Sequence, residues 1–148
     1  MPPCIQGKAM KVAYFDCFSG AAGDMILAAL LDSGANFDQL SAAIGRLGLS
    51  DYRLSAEKIK KQGIAATYFS VSPGNATQPR RHLKHVVDII NAGEISPKTR
   101  DNAIRIFTRL AQAEAKVHGT TIEKVHFHEV GAVDAIIDVV GSCIALEM

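Results

Sequence analysis

Apolar residues at helical spacing occur in most of this chain and limit the folds it can adopt. In four segments they recur three or four residues apart, the pattern of a helix with one buried face. These positions are Phe37, Leu40, Ile44 and Leu47, then Leu83, Val86, Val87 and Ile90, then Ile104, Phe107, Leu110 and Ala111, and finally Val133, Ile136, Ile137, Val140 and Ile144. A fifth segment, rich in Ala and Leu, ends at Gly34. Asn36 and Ser96-Pro97 are typical helix starts.

Shorter stretches between these helices alternate in the manner of β-strands. Residues 52–72 predict two antiparallel strands joined by a turn at Gln62-Gly63. Residues 12–15 predict a short buried strand that ends at Asp16, and residues 125–128 predict another. The expected fold is α/β (α+β), a small mixed sheet of about four strands packed with about five helices.

The length and apolar content favour a single domain. With 148 residues, 48% of them hydrophobic, the chain is long enough for one core and too short for two. We expect that domain to cover residues 11–148, after a flexible N-terminal extension at 1–10, with a polar loop at 73–79. Nothing caps the last helix, so we expect the chain to be the N-terminal part of a longer protein.

Charge and cysteine usage narrow the range of partners. A formal net charge of +1 leaves no basic stripe for nucleic acid or an anionic membrane. The first residues lack an apolar signal core, and no apolar run is long enough for a bilayer. Cys4, Cys17 and Cys143 form no metal or redox motif, which favours a reducing, cytoplasmic location.

Residues 125–134 hold the densest group of candidate ligands. His126 and His128 would project from one side of a strand, about 6 to 7 Å apart. Glu129 follows, and Gly131 would let the chain turn so that Asp134 approaches the imidazoles. A mixed nitrogen and oxygen set favours nickel, zinc, manganese or iron over calcium. The alternative is that the histidines are ordinary surface residues and that Asp134 caps a helix.

A second candidate site follows the first predicted strand. Asp16 would lie at the carboxyl end of that strand, where ligand crevices form, and could be a metal ligand or a proton acceptor. The turn over residues 19–24 could hold a phosphate or carboxylate with backbone N–H groups. Its candidate binding residues are Ser19, Gly20, Gly23 and Asp24. A structural turn capped by Ser19 or Asp24 explains the pattern equally well.

Two further features have simpler interpretations. The basic segment at residues 80–85 could bind a phosphate, and Arg81 and His82 are its best candidates, although a solvated basic face is as good an explanation. Cys17 is better explained as a small buried thiol than as a ligand.

Three motifs in order identify a family resemblance. They are YFDCFSGAAGDM at residues 14–25, AEAKVHG at 113–119 and VHFHEVGAVD at 125–134. From about Lys11 to its end, the chain closely resembles the N-terminal part of the LarC family of nickel-insertion proteins.

The resemblance implies a cytosolic nickel insertase, or chelatase, of the lyase class. Its substrate would be pyridinium-3,5-bisthiocarboxylic acid mononucleotide, and its product the nickel-pincer cofactor of lactate racemase. In that product two sulfur atoms and a ring carbon hold the nickel, so a proton must leave the carbon. CTP with a divalent metal would act through the C-terminal part of the same protein.

On this interpretation the candidate residues acquire roles as hypotheses. His126, His128 and Glu129 would handle nickel, with Asp134 as a ligand or orienting residue, and Asp16 would be the base. The turn at 19–24 and Arg81 would seat the phosphate. The alternatives are a non-catalytic nickel- or substrate-binding module and a metal-dependent nucleotide phosphohydrolase; a homo-oligomer also stays open.

Overall fold

The computed structural model describes residues 12–74, 79, 81–127 and 130–148. These residues form five helices and one hairpin. In chain order they are α1 (Gly23–Asp32), α2 (Phe37–Gly45), β1 (Tyr52–Lys61), β2 (Ile64–Pro73), α3 (Leu83–Ala92), α4 (Pro97–Val117) and α5 (Val133–Ala145). The predicted fold class and the five helices are confirmed. No helix in these ranges is both long and apolar enough to span a bilayer.

Local side-chain chemistry sets where the helices begin. At the start of α2 the Asn36 side chain accepts a hydrogen bond from the backbone N–H of Gln39 at 2.9 Å. At the start of α4 the Ser96 hydroxyl accepts one from the N–H of Thr99 at 3.0 Å, and Pro97 occupies the first turn. Each cap satisfies a donor that the helix cannot pair internally, as the sequence predicts.

The two strands form a hairpin that turns at Gln62-Gly63, as the sequence predicts. Tyr52 pairs with Pro73 and Lys61 with Ile64. Gln62 and Gly63 both have positive φ, 51° and 86°, the geometry of the two-residue turn that matches strand twist. The hairpin prediction is confirmed.

The predicted number of strands is wrong for the described residues, whose only sheet is the β1–β2 pair. Residues 12–15 form no strand, and Tyr14 is 88% exposed. A strand needs a neighbour for its backbone hydrogen bonds, and no described segment pairs with residues 12–15. Near residue 127 the expected strand is reduced to one antiparallel bridge between Arg81 and Phe127.

Helix α5 lies at the centre of the core and contacts α1, α2, α4 and β2. Its buried residues include Ile136, Ile137 and Val140, as its apolar spacing predicts. Gly141 allows close packing, since a Cβ there would lie 3.2 Å from the Ile44 side chain and 3.3 Å from that of Leu27. The start of α1 also meets the second turn of α5, because Gly23 packs against Asp138.

Candidate functional site

The described part of the 125–134 motif alternates between the core and the surface. Val125 is 2% exposed and Phe127 1% exposed, while His126 between them is exposed. The backbone N–H of Phe127 donates to the carbonyl of Arg81 at 3.0 Å, which fixes this alternation. His128 and Glu129 lie outside the described residues, so their predicted roles as metal ligands stay predictions.

The exposed ring of His126 lies against the ring of His82, with their centroids 3.9 Å apart and their planes tilted by 43°. We call these two residues the histidine pair. The Nδ1 atom of His82 is 2.8 Å from the backbone carbonyl oxygen of Val125. A carbonyl oxygen only accepts, so Nδ1 carries the proton, and neutral His82 has its lone pair on Nε2. From the sequence, His82 is predicted only as a phosphate ligand. Its contact with His126 joins residues that are far apart in the chain, so no sequence pattern indicates it.

A third imidazole next to the histidine pair is held in the opposite tautomer. The backbone N–H of His82 donates to Nδ1 of His85 at 3.1 Å, so neutral His85 carries its proton on Nε2. The ring centroids of these two residues are 5.5 Å apart. His82 is the N-cap of α3 and His85 lies in its first turn. The bond therefore supports the helix start.

Arg81 holds the segment that leads into α5. Its Nη1 donates to the carbonyl of Gly131 at 2.6 Å, and burial lowers the pKa of the guanidinium. A Cβ at position 131 would lie 2.9 Å from that of Phe127 and 3.1 Å from that of Arg81. Gly131 is therefore needed for close backbone approach. The contact with a phosphate predicted for Arg81 stays a prediction.

Three carboxylates meet where α1 and α5 begin, and we call Gly23, Asp24, Asp134 and Asp138 the acidic corner. A Cβ on Gly23 would lie only 2.5 Å from the Cβ of Asp138. Burial first, and then the charges of Asp24 and Asp134, raise the pKa of Asp138 to about 6, while a hydrogen bond from the backbone N–H of Asp24 lowers it. Asp138 Oδ1 is buried without a hydrogen-bond partner among the described residues.

In the acidic corner, a backbone N–H at the start of α1 is already engaged. The sequence predicts that N–H groups there bind a phosphate or carboxylate, but the N–H of Asp24 is hydrogen-bonded to the carboxylate of Asp138. The carboxylates of Asp24 and Asp134 accept from the next backbone N–H, at 2.8 Å and 2.9 Å. The charge of Asp134 therefore contributes to the raised pKa of Asp138. The role of Asp134 as a metal ligand stays a prediction.

No three histidine, cysteine, aspartate or glutamate side chains within 12–74, 79, 81–127 and 130–148 are arranged to hold a metal ion. The histidine pair supplies two imidazoles and the acidic corner supplies carboxylates. The four predicted metal residues are His126, His128, Glu129 and Asp134, and the structure describes only the first and last of them.

The segment before α1 is exposed and turns tightly. Asp16 and Ser19 are exposed. Gly20 has φ +82°, and its N–H donates to the carbonyl of Cys17 at 2.9 Å. Cys17 is exposed, so the expectation of a small buried thiol was wrong; the segment lies outside the core. The catalytic role predicted for Asp16 and the binding roles predicted for Ser19 and Gly20 stay predictions.

Comparison with known proteins gives a consistent family. Residues 13–148 match the sequence profile of a family described as nickel insertion protein. A relative from Desulfitobacterium hafniense, named pyridinium-3,5-bisthiocarboxylic acid mononucleotide nickel insertion protein, is 48% identical over 135 residues, which are 91% of this chain and 33% of the relative. Relatives from Citrifermentans bemidjiense and Synechococcus elongatus are each 49% identical over 93% of this chain, covering 36% and 34% of their own lengths.

The chain thus spans about a third of the length of these curated relatives. No solved structure matches it significantly.

Proposed function

The chain belongs to the nickel insertion protein family, and from that premise we propose that it is the part of a nickel insertase that handles the metal. The proposed substrate is pyridinium-3,5-bisthiocarboxylic acid mononucleotide, the compound in the name of the D. hafniense relative. The proposed product is the nickel-pincer cofactor used by lactate racemase. A cytoplasmic location and the lyase class are part of the same proposal.

The observation that carries this proposal is the position of His126. Its ring is exposed while both neighbours are buried in the core, so a rigid support presents an imidazole to solvent. Imidazole nitrogen is among the ligands that suit nickel. We propose that His126 receives nickel, with His128, Glu129 and Asp134 as further ligands or orienting residues.

The remaining predicted residues are assigned to the mononucleotide. Inserting nickel at a ring carbon releases a proton, and the proposed acceptor is the carboxylate of Asp16, which is exposed. Because Asp138 engages the N–H of Asp24, we place the phosphate nearer the turn at Ser19 and Gly20, with Arg81 as a cationic partner. Gly23 and Asp24 then shape the turn rather than touch the phosphate.

The proposal requires the rest of the protein for turnover. Relatives are about three times as long as the matched region, and we propose that CTP and its divalent metal bind in that C-terminal part. A non-catalytic module that only binds nickel or substrate is the second candidate, favoured by this partial coverage. Nickel binding without any insertion in the reconstituted protein would support the module.

The deciding experiment reconstitutes insertion. The chain is combined with the C-terminal region of the D. hafniense relative, nickel, the mononucleotide and CTP, and the nickel-containing product is measured by mass spectrometry. We expect His126→Asn with His128→Asn to reduce product at least tenfold and Asp16→Asn to slow its formation. His118→Asn, at the end of α4, is the control. Full insertion by the double variant would contradict the proposed metal role.

A further inference from the structure

We propose that His82 is a nickel ligand and that the histidine pair binds the ion between the start of α3 and the exposed side of the 125–127 segment. The inference rests on the proposed function and adds a ligand that the 125–134 motif does not contain. His82 occupies the N-cap position of α3, and its ring contacts that of His126.

His82 has the tautomer that metal-binding histidines commonly have. Its Nδ1 donates to the backbone carbonyl of Val125 at 2.8 Å, which leaves the lone pair of the neutral ring on Nε2. Histidine ligands commonly donate their other ring N–H to a backbone carbonyl, which fixes the tautomer and the orientation of the ring.

One short piece of backbone positions both rings. Val125 is buried and supplies the carbonyl that holds His82, and the next residue is His126. The ring centroids lie 3.9 Å apart, so the two imidazoles are direct neighbours, and a turn of the exposed His126 ring would allow a nitrogen of each ring to lie about 2 Å from one ion. A shift of Val125 would move both imidazoles together.

His85 is the internal contrast. It is also near His82, with ring centroids 5.5 Å apart, but its Nδ1 accepts from the backbone N–H of His82. Neutral His85 therefore presents an N–H at Nε2. It can ligate only by breaking that bond at the start of α3.

An ion that must be passed on suits a site with few protein ligands. The described residues contain no three-ligand group, and positions on Ni²⁺ that the protein does not fill are open to water or to thiocarboxylate sulfur. In the transfer, the Ni–N bonds to the imidazoles would break as two Ni–S bonds form, and the Ni–C bond would form as the ring C–H gives its proton to Asp16, the proposed acceptor. Nickel would stay divalent and both imidazoles would leave neutral, so the transfer needs no oxidant or reductant.

The test is an isothermal calorimetric titration of the chain with Ni²⁺ alone, for the wild type and for His82→Asn. Asn is a favoured N-cap residue, so this variant should keep α3 while it removes the ligand. We expect nickel affinity to fall roughly tenfold or more, to fall similarly for His126→Asn, and to fall little further for the double variant. His118→Asn should bind as the wild type does. Wild-type affinity in folded His82→Asn would overturn the proposal.

A measurement on the unsubstituted chain tests the premise separately. Long-range ¹H–¹⁵N NMR spectra above the pH of imidazole protonation should show the proton of His82 on Nδ1 and that of His85 on Nε2. A proton on Nε2 of His82 would also overturn the proposal. If either test contradicts the role of His82, product formation in the reconstitution experiment still tests the proposed function independently. If the histidine pair binds nickel but no product forms, only the proposed function is contradicted.

Discussion

The histidine pair and the acidic corner differ in what determines the protonation of their side chains. In the histidine pair, a backbone carbonyl fixes the proton of His82 while the ring of its partner is exposed. In the acidic corner, burial and like charges raise the pKa of Asp138, and one of its oxygens is buried without a partner. The 125–134 motif divides between them, since His126 joins the first and Asp134 acts on the second. The first arrangement suits ligand exchange, while the second places a carboxylate at a helix start.

The largest expected effect comes from removing the core support of the histidine pair. Phe127 is fully buried and lies near Phe107, with ring centroids 6.3 Å apart. We expect Phe127→Ala to lower the free energy of unfolding by about 3 to 5 kcal/mol and to weaken nickel binding through the displaced segment. Urea denaturation measures the first effect. Phe18→Ala is the control, because Phe18 is 92% exposed and should change stability by less than about 0.5 kcal/mol.

The acidic corner should be almost as sensitive to a single methyl group. In Gly23→Ala the new Cβ would lie 2.5 Å from the Cβ of Asp138, so α1 or α5 must shift. We expect a loss of about 1 to 3 kcal/mol, measured by thermal or urea unfolding. Gly45→Ala, where nothing lies within 4 Å, should be neutral or slightly stabilising. Equal effects of the two changes would show that Gly23 is not tightly packed.

The carboxyl group of Asp138 should make stability fall as pH rises. Its pKa is about 6 in the folded chain and near its ordinary value of 3.8 in the unfolded chain. Between these values the folded state holds more protons, so stability decreases from about pH 4 to pH 6, and the decrease is complete above that. We expect Asp138→Asn to remove this slope and, because the group is partly exposed, to gain only about 1 to 2 kcal/mol at pH 7.

Urea unfolding at several pH values checks this linkage. Asp101→Asn, which alters an exposed carboxylate of α4, should retain the wild-type slope. If Asp138→Asn kept the slope instead, the carboxyl group would not be the one that titrates.

The smallest effect on stability is expected for His126→Asn, which distinguishes a ligand of the metal from a residue that stabilises the core. His126 is exposed, so His126→Asn should change the free energy of unfolding by less than about 0.5 kcal/mol while nickel affinity falls. Calorimetric titration and urea unfolding of the same sample measure both. A loss of stability comparable to that of Phe127→Ala would show that the ring is part of the core.

Elements specified by short-range patterns were predicted well. The five helices, the caps at Asn36 and Ser96 and the turn at Gln62-Gly63 follow from spacing and local hydrogen bonds. Residues 12–15 failed as a strand because strand formation depends on a partner elsewhere in the chain. Helix α5 was predicted as an apolar helix, but its central position depends on every element that packs against it.

The sequence by itself determined the fold class, the helix positions and the family, because periodicity and motifs are read along the chain. It also predicted that His126 projects to one side of the 125–128 segment, since alternation needs only neighbours. Only the tertiary structure brought His82 to His126 and Asp138 to Gly23, and with them the tautomer of one group and the raised pKa of the other. The physical reason is that protonation depends on the atoms and charges within a few ångströms, and the residues that supply them are far apart in sequence.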